Sequence, residues 1–383
     1  MKDILIISNY FPPEMGAASN RIFQLAEGLS KNQNVSVICP LPNYPTGKVF
    51  KHYNTKETID GIKINRLWVS PSVSKNKFVR LFSMLSFSFS IVWFFLWNKI
   101  PKTIIVNSPP LLVAFTSLFF LSYKKHTLIL NVSDLWPKAG LELGAIKQGF
   151  SYRMLQKIER FNYNKADLIL GQSEEILAHI RTIVPKTETL LYRNFPNFLP
   201  PKIEANNVGH LTKIKIVYAG LLGVAQGVLK LCKNLDYSKI EFHIYGSGAE
   251  EILIKNFINN NPELPITFHG SVSRKELHRE LLKYDATIIP LLNRIYGSVP
   301  SKIFEYSRLG LPIIYFGGGE GESIVKDHKL GWVAEAGNYT ALNDVISQLQ
   351  RSDFDSDLKI QIQNTAIKNF DASEQLKVLN SYV

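Results

Sequence analysis

Two spacings of apolar residues take turns along the chain. Runs of β-branched and aliphatic residues, "ILIIS" (4–8), "VSVIC" (35–39), "TIIVN" (103–107), "TLILNVS" (127–133) and "LILGQ" (168–172), read as strands. Helical spacing occupies 18–30, 79–98, 110–123 and 149–164, and a short helix starts from Ser173. A strand that is apolar at every position is buried on both faces, as in a parallel sheet covered by crossover helices. A hairpin-like segment, "GIKINRLWV" (61–69), interrupts this first series. At "RNFPNFLPPKIEANNVGHLT" (193–212) the periodicity stops and Pro and Asn accumulate, which reads as a linker. Alternation then restarts with strands at 214–220, 241–248, 266–270, 285–290, 312–316 and 331–335. The pattern predicts an α/β protein of two Rossmann-like, doubly wound domains facing across a cleft, with ligands beyond the carboxyl ends of the strands. The expected boundaries are 1–195 and 196–365, followed by a helical tail, 366–383, that packs back on the first domain.

Two apolar stretches need a separate account. "LFSMLSFSFSIVWFFLW" (81–97) runs seventeen residues without a charge. A spanning helix needs roughly 20, and this stretch carries four serines and sits where a crossover helix belongs. "LLVAFTSLFFLSY" (111–123) ends at Lys124, Lys125 and His126, and Lys75, Lys77 and Arg80 precede the first stretch. Basic residues beside aromatic-rich helices resemble an interfacial surface. The expectation is peripheral docking on the anionic inner face of the plasma membrane, through Lys75, Lys77, Arg80, Trp93 and Trp97, without a span. The opening "MKDILIISNYFPP" has too short an apolar run for a signal peptide and reads as a buried first strand, so a cytoplasmic location is expected.

Composition changes the picture in one respect. Forty-four Lys and Arg against 32 Asp and Glu give a net charge of +12 and a pI near 9.4, which favours anionic partners. No clustered basic stripe or nucleic-acid module accompanies it, so no nucleic-acid partner is expected. Cys39 and Cys232 lie far apart and read as buried thiols.

Candidate chemistry sits at the strand ends. "YAGLLGVAQG" (218–227), "YGSGAE" (245–250) and "HGSVSR" (269–274) each follow a strand with glycine. Glycine there lets backbone approach a ligand, and amides at a following helix start favour phosphate. None matches G-x-G-x-x-G or a Walker loop, which leaves dinucleotide and P-loop readings without support. In "GSVPSKIFEYSRLGLPII" (297–314) a short helix opens near Pro300 and Ser301. If Ser301 caps it, the next amides and Lys302 form a diphosphate site, and Glu305 one turn in can accept from sugar hydroxyls. Local sequence equally allows Glu305 to complement the helix dipole in solvent. "SDFDSDLK" (352–359) lacks the Gly and terminal Glu of a calcium loop and reads as solvated. His243 and His269 fall in strands and read as satisfied core residues. No nucleophile motif occurs, and neither a metal nor a cofactor is expected.

In order and spacing, "ILIISNYFPPEMGAASNR", "NVSDLWPKAGLELG", "VYAGLLGVAQG", "YGSGAE", "FHGSVSRKEL", "DATIIPL" and "PSKIFEYSRLGLPII" resemble glycosyltransferase family 4 across residues 1–365. That family comprises retaining enzymes of the GT-B fold that transfer sugars from nucleotide diphosphates. The first two segments are similar to the subgroup that builds bacterial surface polysaccharides, including N-acetylfucosamine transferases. The resemblance gives Glu305 the donor ribose, and Ser301 and Lys302 the diphosphate. Gly220, Gly223 and Gln226 fall in the glycine loop, Gly246 and Gly248 line the nucleotide site, and Val272 meets the base. Gly16 and Ala17 approach the donor phosphate or sugar, and Asp134 is the acid of the His-Asp pair near the reacting carbon. There are departures. Gly297 stands where many members begin Glu-x7-Glu, Ser133 replaces the histidine before Asp134, and Leu221 and Gln226 replace the phosphate-binding Arg and Lys. Phosphate neutralisation then falls to Lys302, with Arg294 or Lys230 as further candidates. The implied reaction moves an N-acetylated amino sugar from a UDP-sugar to a polyprenyl-diphosphate-linked acceptor in O-antigen or capsule synthesis. The alternative is a UDP-sugar epimerase of related architecture.

Overall fold

The structure, a computed structural model, describes residues 1–14, 16–43, 47–50, 54–72, 76–121, 126–203, 213–292 and 295–383, without the side chains of residues 17, 77, 80, 81 and 84. The chain forms two units. The first comprises Met1–Asn194, Ile295–Gly297 and Ser373–Val383, the second Phe195–Arg294 and Ser298–Ala372.

The first unit is built on an eight-stranded sheet. Its strands are β1 (Asp3–Ile7), β2 (Asn34–Pro40), β3 (Lys56–Ile59), β4 (Ile62–Leu67), β5 (Thr103–Ser108), β6 (Thr127–Val132), β7 (Leu168–Gly171) and β8 (Glu188–Leu191), in the order β3-β4-β2-β1-β5-β6-β7-β8. Every neighbouring pair is parallel except β3 and β4. That hairpin turns on Asp60 and Gly61, both at positive φ (49° and 80°), as a two-residue I′ turn requires. The sequence pattern places the hairpin too late, because its first arm, "KETI", is a half-exposed edge strand with no apolar run.

The helices are α1 (Ala17–Ser30), α2 (Lys77–Trp97), α3 (Leu111–Leu121), α4 (Lys138–Glu142), α5 (Phe150–Lys165) and α6 (Glu174–Ile183). All six positions of β5 are buried, because alternate residues feed cores on opposite faces. Ile104 and Val106 pack with Phe87, Ile91, Leu118 and Ile176, while Ile105 packs with Ile22, Leu25 and Leu379. Among the described residues no helix is long and apolar enough to cross a membrane.

The second unit carries a six-stranded, wholly parallel sheet. Strands β9 (Ile214–Ala219), β10 (Ile240–Tyr245), β11 (Ile266–Gly270), β12 (Ala286–Pro290), β13 (Ile313–Phe316) and β14 (Gly331–Ala334) lie in the order β11-β10-β9-β12-β13-β14. This is the 3-2-1-4-5-6 order of a dinucleotide-binding-type sheet, whose order reverses between β9 and β12. Seven helices accompany it: α7 (Val228–Asn234), α8 (Glu251–Asn260), α9 (Arg274–Leu281), α10 (Lys302–Arg308), α11 (Glu320–Asp327), α12 (Tyr339–Gln348) and α13 (Ser356–Asn369). Phe304 of α10 meets Phe195 and Phe370 edge-on, each at 5.0 Å between ring centres. Asp353 and Asp355 work as caps, accepting from Gln350 N and Leu358 N, both at 2.8 Å. Cys39 and Cys232 are buried free thiols. His243 and His269 differ from the core reading. His243 is partly buried and His269 exposed on neighbouring strands, with Nδ1 of the first 3.0 Å from Nε2 of the second.

A final helix, α14 (Ala372–Asn380), places Leu376 against α1. Gly28 makes room for it, since a Cβ there would lie 2.3 Å from Leu376 Cδ1. Gln375 exchanges two hydrogen bonds with the Arg193 backbone, at 2.7 and 2.9 Å. Leu379 is fully buried and Val378 beside it is half exposed. Leu379→Ala is expected to destabilise the first unit by about 2–5 kcal/mol, and Val378→Ala by about 0.5 kcal/mol or less, read from unfolding midpoints of the two variants.

Candidate functional site

The carboxyl ends of β9, β10 and β11 are bound together through backbone. Gly220 N donates to Tyr245 O (2.9 Å), Gly246 N to Gly270 O (2.8 Å), and Leu222 N to Ser247 O (2.9 Å). Side chains are excluded from this contact. A Cβ on Gly246 would lie 1.8 Å from Gly220 O, and one on Gly248 would lie 2.6 Å from Leu222 O. The strand that ends at Gly220 borders the point where strand order reverses, where such sheets bind ligands.

Lys302 opens α10 and reaches this place. A Cβ on Gly220, which sits at φ 155°, would lie 1.9 Å from Lys302 Nζ, so glycine creates the space for the ammonium. Nζ stands 4.8 Å from the centre of the Tyr218 ring. Tyr218 is fixed by its hydroxyl donating to Leu221 O (2.6 Å), and Tyr306 of α10 donates to Ala219 O (3.0 Å). No hydrogen bond or ion pair reaches Nζ among the described residues. Burial draws the Lys302 pKa down to about 8, against the upward pull of Glu305. A partly desolvated ammonium with no direct ion-pair partner is costly, and an anionic ligand would relieve that cost.

Glu305 lies one turn into α10 with its side chain 17 % exposed. Its Oε1 accepts from Arg274 Nε (2.9 Å) and His278 Nε2 (2.7 Å). Burial pushes this carboxyl upward, but the His278 hydrogen bond and the Arg274 charge outweigh it and hold the pKa below the usual range. Oε2 has no partner among the described residues. The carboxylate is therefore no free dipole-complementing charge, and its two partners were missed in the sequence. The signal was present in "SRKELHRE": Arg274 and His278 are four apart and share one face of α9.

Ser301 does not cap α10. It already has helical dihedrals (φ −59°, ψ −20°), and its side chain makes no bond to the helix amides. The amides of Ile303, Phe304 and Glu305 are taken by the carbonyls of Pro300 and Ser301, each at 3.1 Å. Pro300 begins a tight turn before the helix, so Ser301 lacks the extended geometry of a cap. Positive charge here comes from Lys302 rather than from three open amides.

The remaining predicted positions divide. In the glycine loop Gln226 Oε1 is buried without a partner among the described residues, beside Gly223, where a Cβ would lie 2.7 Å from it. Leu221 and Val224 are exposed. Val272 is partly buried against the core that contains Ile303 and Phe304. Lys230 lies exposed on α7, and Arg294 falls outside the described residues. Gly297 belongs to the first unit, where Gly297 N donates to Glu175 Oε2 (2.9 Å) and Gly297 O accepts from Ser173 Oγ (2.7 Å). At φ 83°, with a Cβ due 2.7 Å from Ile176 Cγ1, this position excludes a carboxylate side chain.

In the first unit, Asp134 follows β6. Burial raises its pKa and the Arg21 charge opposes the rise. Arg21, 4 % exposed, donates to Ser133 Oγ (3.0 Å), Gln172 Oε1 (2.9 Å), Asn131 Oδ1 (2.9 Å) and Tyr192 O (3.1 Å). Ser133 is held at three atoms, since its N donates to Ser108 O (2.8 Å) and its O accepts from Gln172 Nε2. The hydroxyl that replaces the family's histidine is thus engaged with a buried arginine. Gly16 precedes α1 with open space around its Cα, at φ 154°. Of Ala17, only the backbone is described.

Comparison with known proteins agrees with this fold. Residues 203–368 match the family described as Glycosyl transferases group 1, and residues 16–194 match the Glycosyl transferase 4-like domain. The chain is similar to a sucrose-phosphate synthase from Thermosynechococcus elongatus (15 % identity, TM-score 0.77, covering 100 % of this chain and 98 % of that one). It is also similar to Anabaena HepE, solved with UDP and glucose (14 %, TM-score 0.69, 100 % and 99 %). A third is the lipopolysaccharide outer core galactosyltransferase WaaB (17 %, TM-score 0.62, 99 % and 98 %). No curated protein matches the chain by sequence. Two Rossmann-like units, the first 4-like and the second of group 1, make the chain a glycosyltransferase of the GT-B type. Both matched families are transferases, which leaves the epimerase reading without support.

The electrostatics of α10 can be tested without any ligand. In an NMR titration of labelled lysine side chains, Lys302 is expected to titrate near pH 8. Glu305→Gln removes the nearby negative charge that favours the ammonium, so the Lys302 pKa should fall further; an upward shift would contradict the assignment.

Proposed function

We propose that the chain transfers a sugar, with retention, from a UDP-sugar to a lipid-linked acceptor in the synthesis of a bacterial surface polysaccharide. The observation that carries the donor reading is the partly buried Lys302 ammonium, set against Gly220 with no direct hydrogen bond or ion pair among the described residues, at the sheet position where such folds seat nucleotides. Complexes of HepE with UDP-glucose and of S. aureus TarM with UDP support uridine as the nucleoside. Lys302 meets the charge that develops on the diphosphate as the anomeric bond breaks, a preorganised electrostatic contribution. Glu305 offers Oε2 to the ribose hydroxyls. Gly246, Gly248, Gly223 and Gln226 line the nucleotide, and Val272 meets the base. In the first unit, Gly16 and Ala17 approach the donor, and Asp134 serves the reacting carbon. No metal is proposed; the protein's own cations neutralise the phosphates.

The acceptor side of the proposal rests on α2. Phe78, Phe82, Phe89, Trp93 and Leu96 project from one face of this helix into solvent, with Trp97 beside them. Trp93 and Trp97 are 66 % and 72 % exposed, while Phe87 and Ile91 on the opposite face are buried. Contiguous exposed aromatics on a basic protein suit an anionic lipid surface, and the similarity to WaaB supports a surface-polysaccharide acceptor. Peripheral attachment to the inner face of the plasma membrane follows.

Calorimetry with UDP tests the donor site. Lys302→Met is expected to weaken binding by roughly 10- to 150-fold, the value of one charged hydrogen bond, and Glu305→Ala to abolish turnover with folding intact. Anion binding raises the lysine pKa, so affinity declines as pH rises above about 7 through about 8; a profile flat over that range or undiminished Lys302→Met binding would refute the assignment. For the surface, anionic vesicles should bind the wild type and release it with salt, while Trp93→Ala/Trp97→Ala binds less. Equal sedimentation of wild type and double variant would remove α2 from the docking surface.

A further inference from the structure

The donor reading leaves a charge problem. A nucleotide diphosphate carries more than one negative charge, and Lys302 supplies one cation. The glycine loop adds none: Leu221 and Val224 stand exposed, and Gln226 is neutral. Lys230 lies exposed on α7.

Arg274 has the chemistry to fill the gap. It is the first residue of α9, four residues after the glycine that ends β11. Its Nε is spent on Glu305 Oε1 at 2.9 Å, and the same oxygen is held by His278 at 2.7 Å. The side chain is still 47 % exposed, and neither Nη is bonded among the described residues. A planar guanidinium that uses Nε along one edge keeps its two terminal N–H groups as a fork, the geometry that pairs with two phosphate oxygens. Glu305 interacts with both Arg274 and Lys302, so the two cations share one carboxylate as their common neighbour. His278 is itself steadied by the Phe198 ring at 4.5 Å, which fixes the oxygen on which Arg274 rests.

We propose that Arg274 is the second phosphate-binding cation of the donor site: anchored through Nε to Glu305, it presents its terminal fork to the diphosphate in place of the basic residues missing at positions 221 and 226. This rests on the reading of the second unit as a nucleotide-diphosphate site. Glu305 then has two tasks, with Oε1 orienting the guanidinium and Oε2 left for the ribose.

The experiment measures binding of UDP and of uridine, which lacks the phosphates, to the full chain and to Arg274→Gln and Arg274→Lys. The expected result is an approximately tenfold or greater loss of UDP affinity in Arg274→Gln with uridine affinity unchanged. Arg274→Lys, which keeps the charge without the fork, should fall between. Equal losses for UDP and uridine would mean that Arg274 acts only by holding Glu305, and unchanged UDP affinity would mean that it touches no phosphate; either overturns the proposal while leaving the donor site standing. If wild type does not prefer UDP to uridine, the donor reading and this inference fail together.

Discussion

An ammonium set into the strand ends, with no direct ion-pair partner among the described residues, is the constraint around which the second unit is arranged. Lys302 Nζ occupies the volume that a side chain at position 220 would fill, and the aromatic ring of Tyr218 lies 4.8 Å from it. For the ammonium to remain there, the ends of β9 and β10 must meet as bare backbone. That explains why Gly246 backs directly onto the carbonyl of Gly220. The tyrosines at 218 and 306 pin the same strand end through their hydroxyls. Burial of the ammonium carries a desolvation cost that a ligand's negative charge would offset.

A second buried cation shows what the opposite solution looks like. Arg21 is buried in the first unit, 4 % exposed, yet it reaches four neutral oxygens, on Asn131, Ser133, Gln172 and Tyr192. Burial still draws its pKa down, to about 10, against the pull of Tyr192 and Asp134. Its acceptors lie on β6 and β7 ends and on the stretch that follows β8, so the charge binds three strand termini into one polar layer beneath Asp134. Lys302 is available to a ligand because it lacks such acceptors; Arg21 is occupied by the fold and acts on its surroundings through its field.

Much of this was readable in the chain and some of it was not, for physical reasons. Strands such as β5, β9 and β12 announced themselves because both their faces are covered and most of their positions are apolar. Edge elements escaped: β8, "ETLL", and β3, "KETI", are partly exposed and leave no apolar run. The glycine turns, Lys302 and Glu305 stood out because local chemistry makes them unusual after a strand or at a helix start. The partners of Glu305 did not, since Arg274 and His278 come from a helix about thirty residues earlier and only tertiary packing brings them to one oxygen. The capping role expected of Ser301 failed for a local reason, a proline turn that had already consumed the amides. Gly297, which read as a lost carboxylate, is instead a packing requirement set by Ile176.

The itinerary of the backbone has an implication for biosynthesis. Residues 373–383 are made after the whole of the second unit, yet Leu376 and Leu379 lie in the same core as Ile4, Ile22 and Leu25. On the ribosome, that hydrophobic face of the earlier-made lobe stays uncovered while nearly half the polypeptide is still being polymerised. The nascent protein must therefore carry an open, sticky seam through nearly half of its translation, a period in which chaperone attendance would matter most.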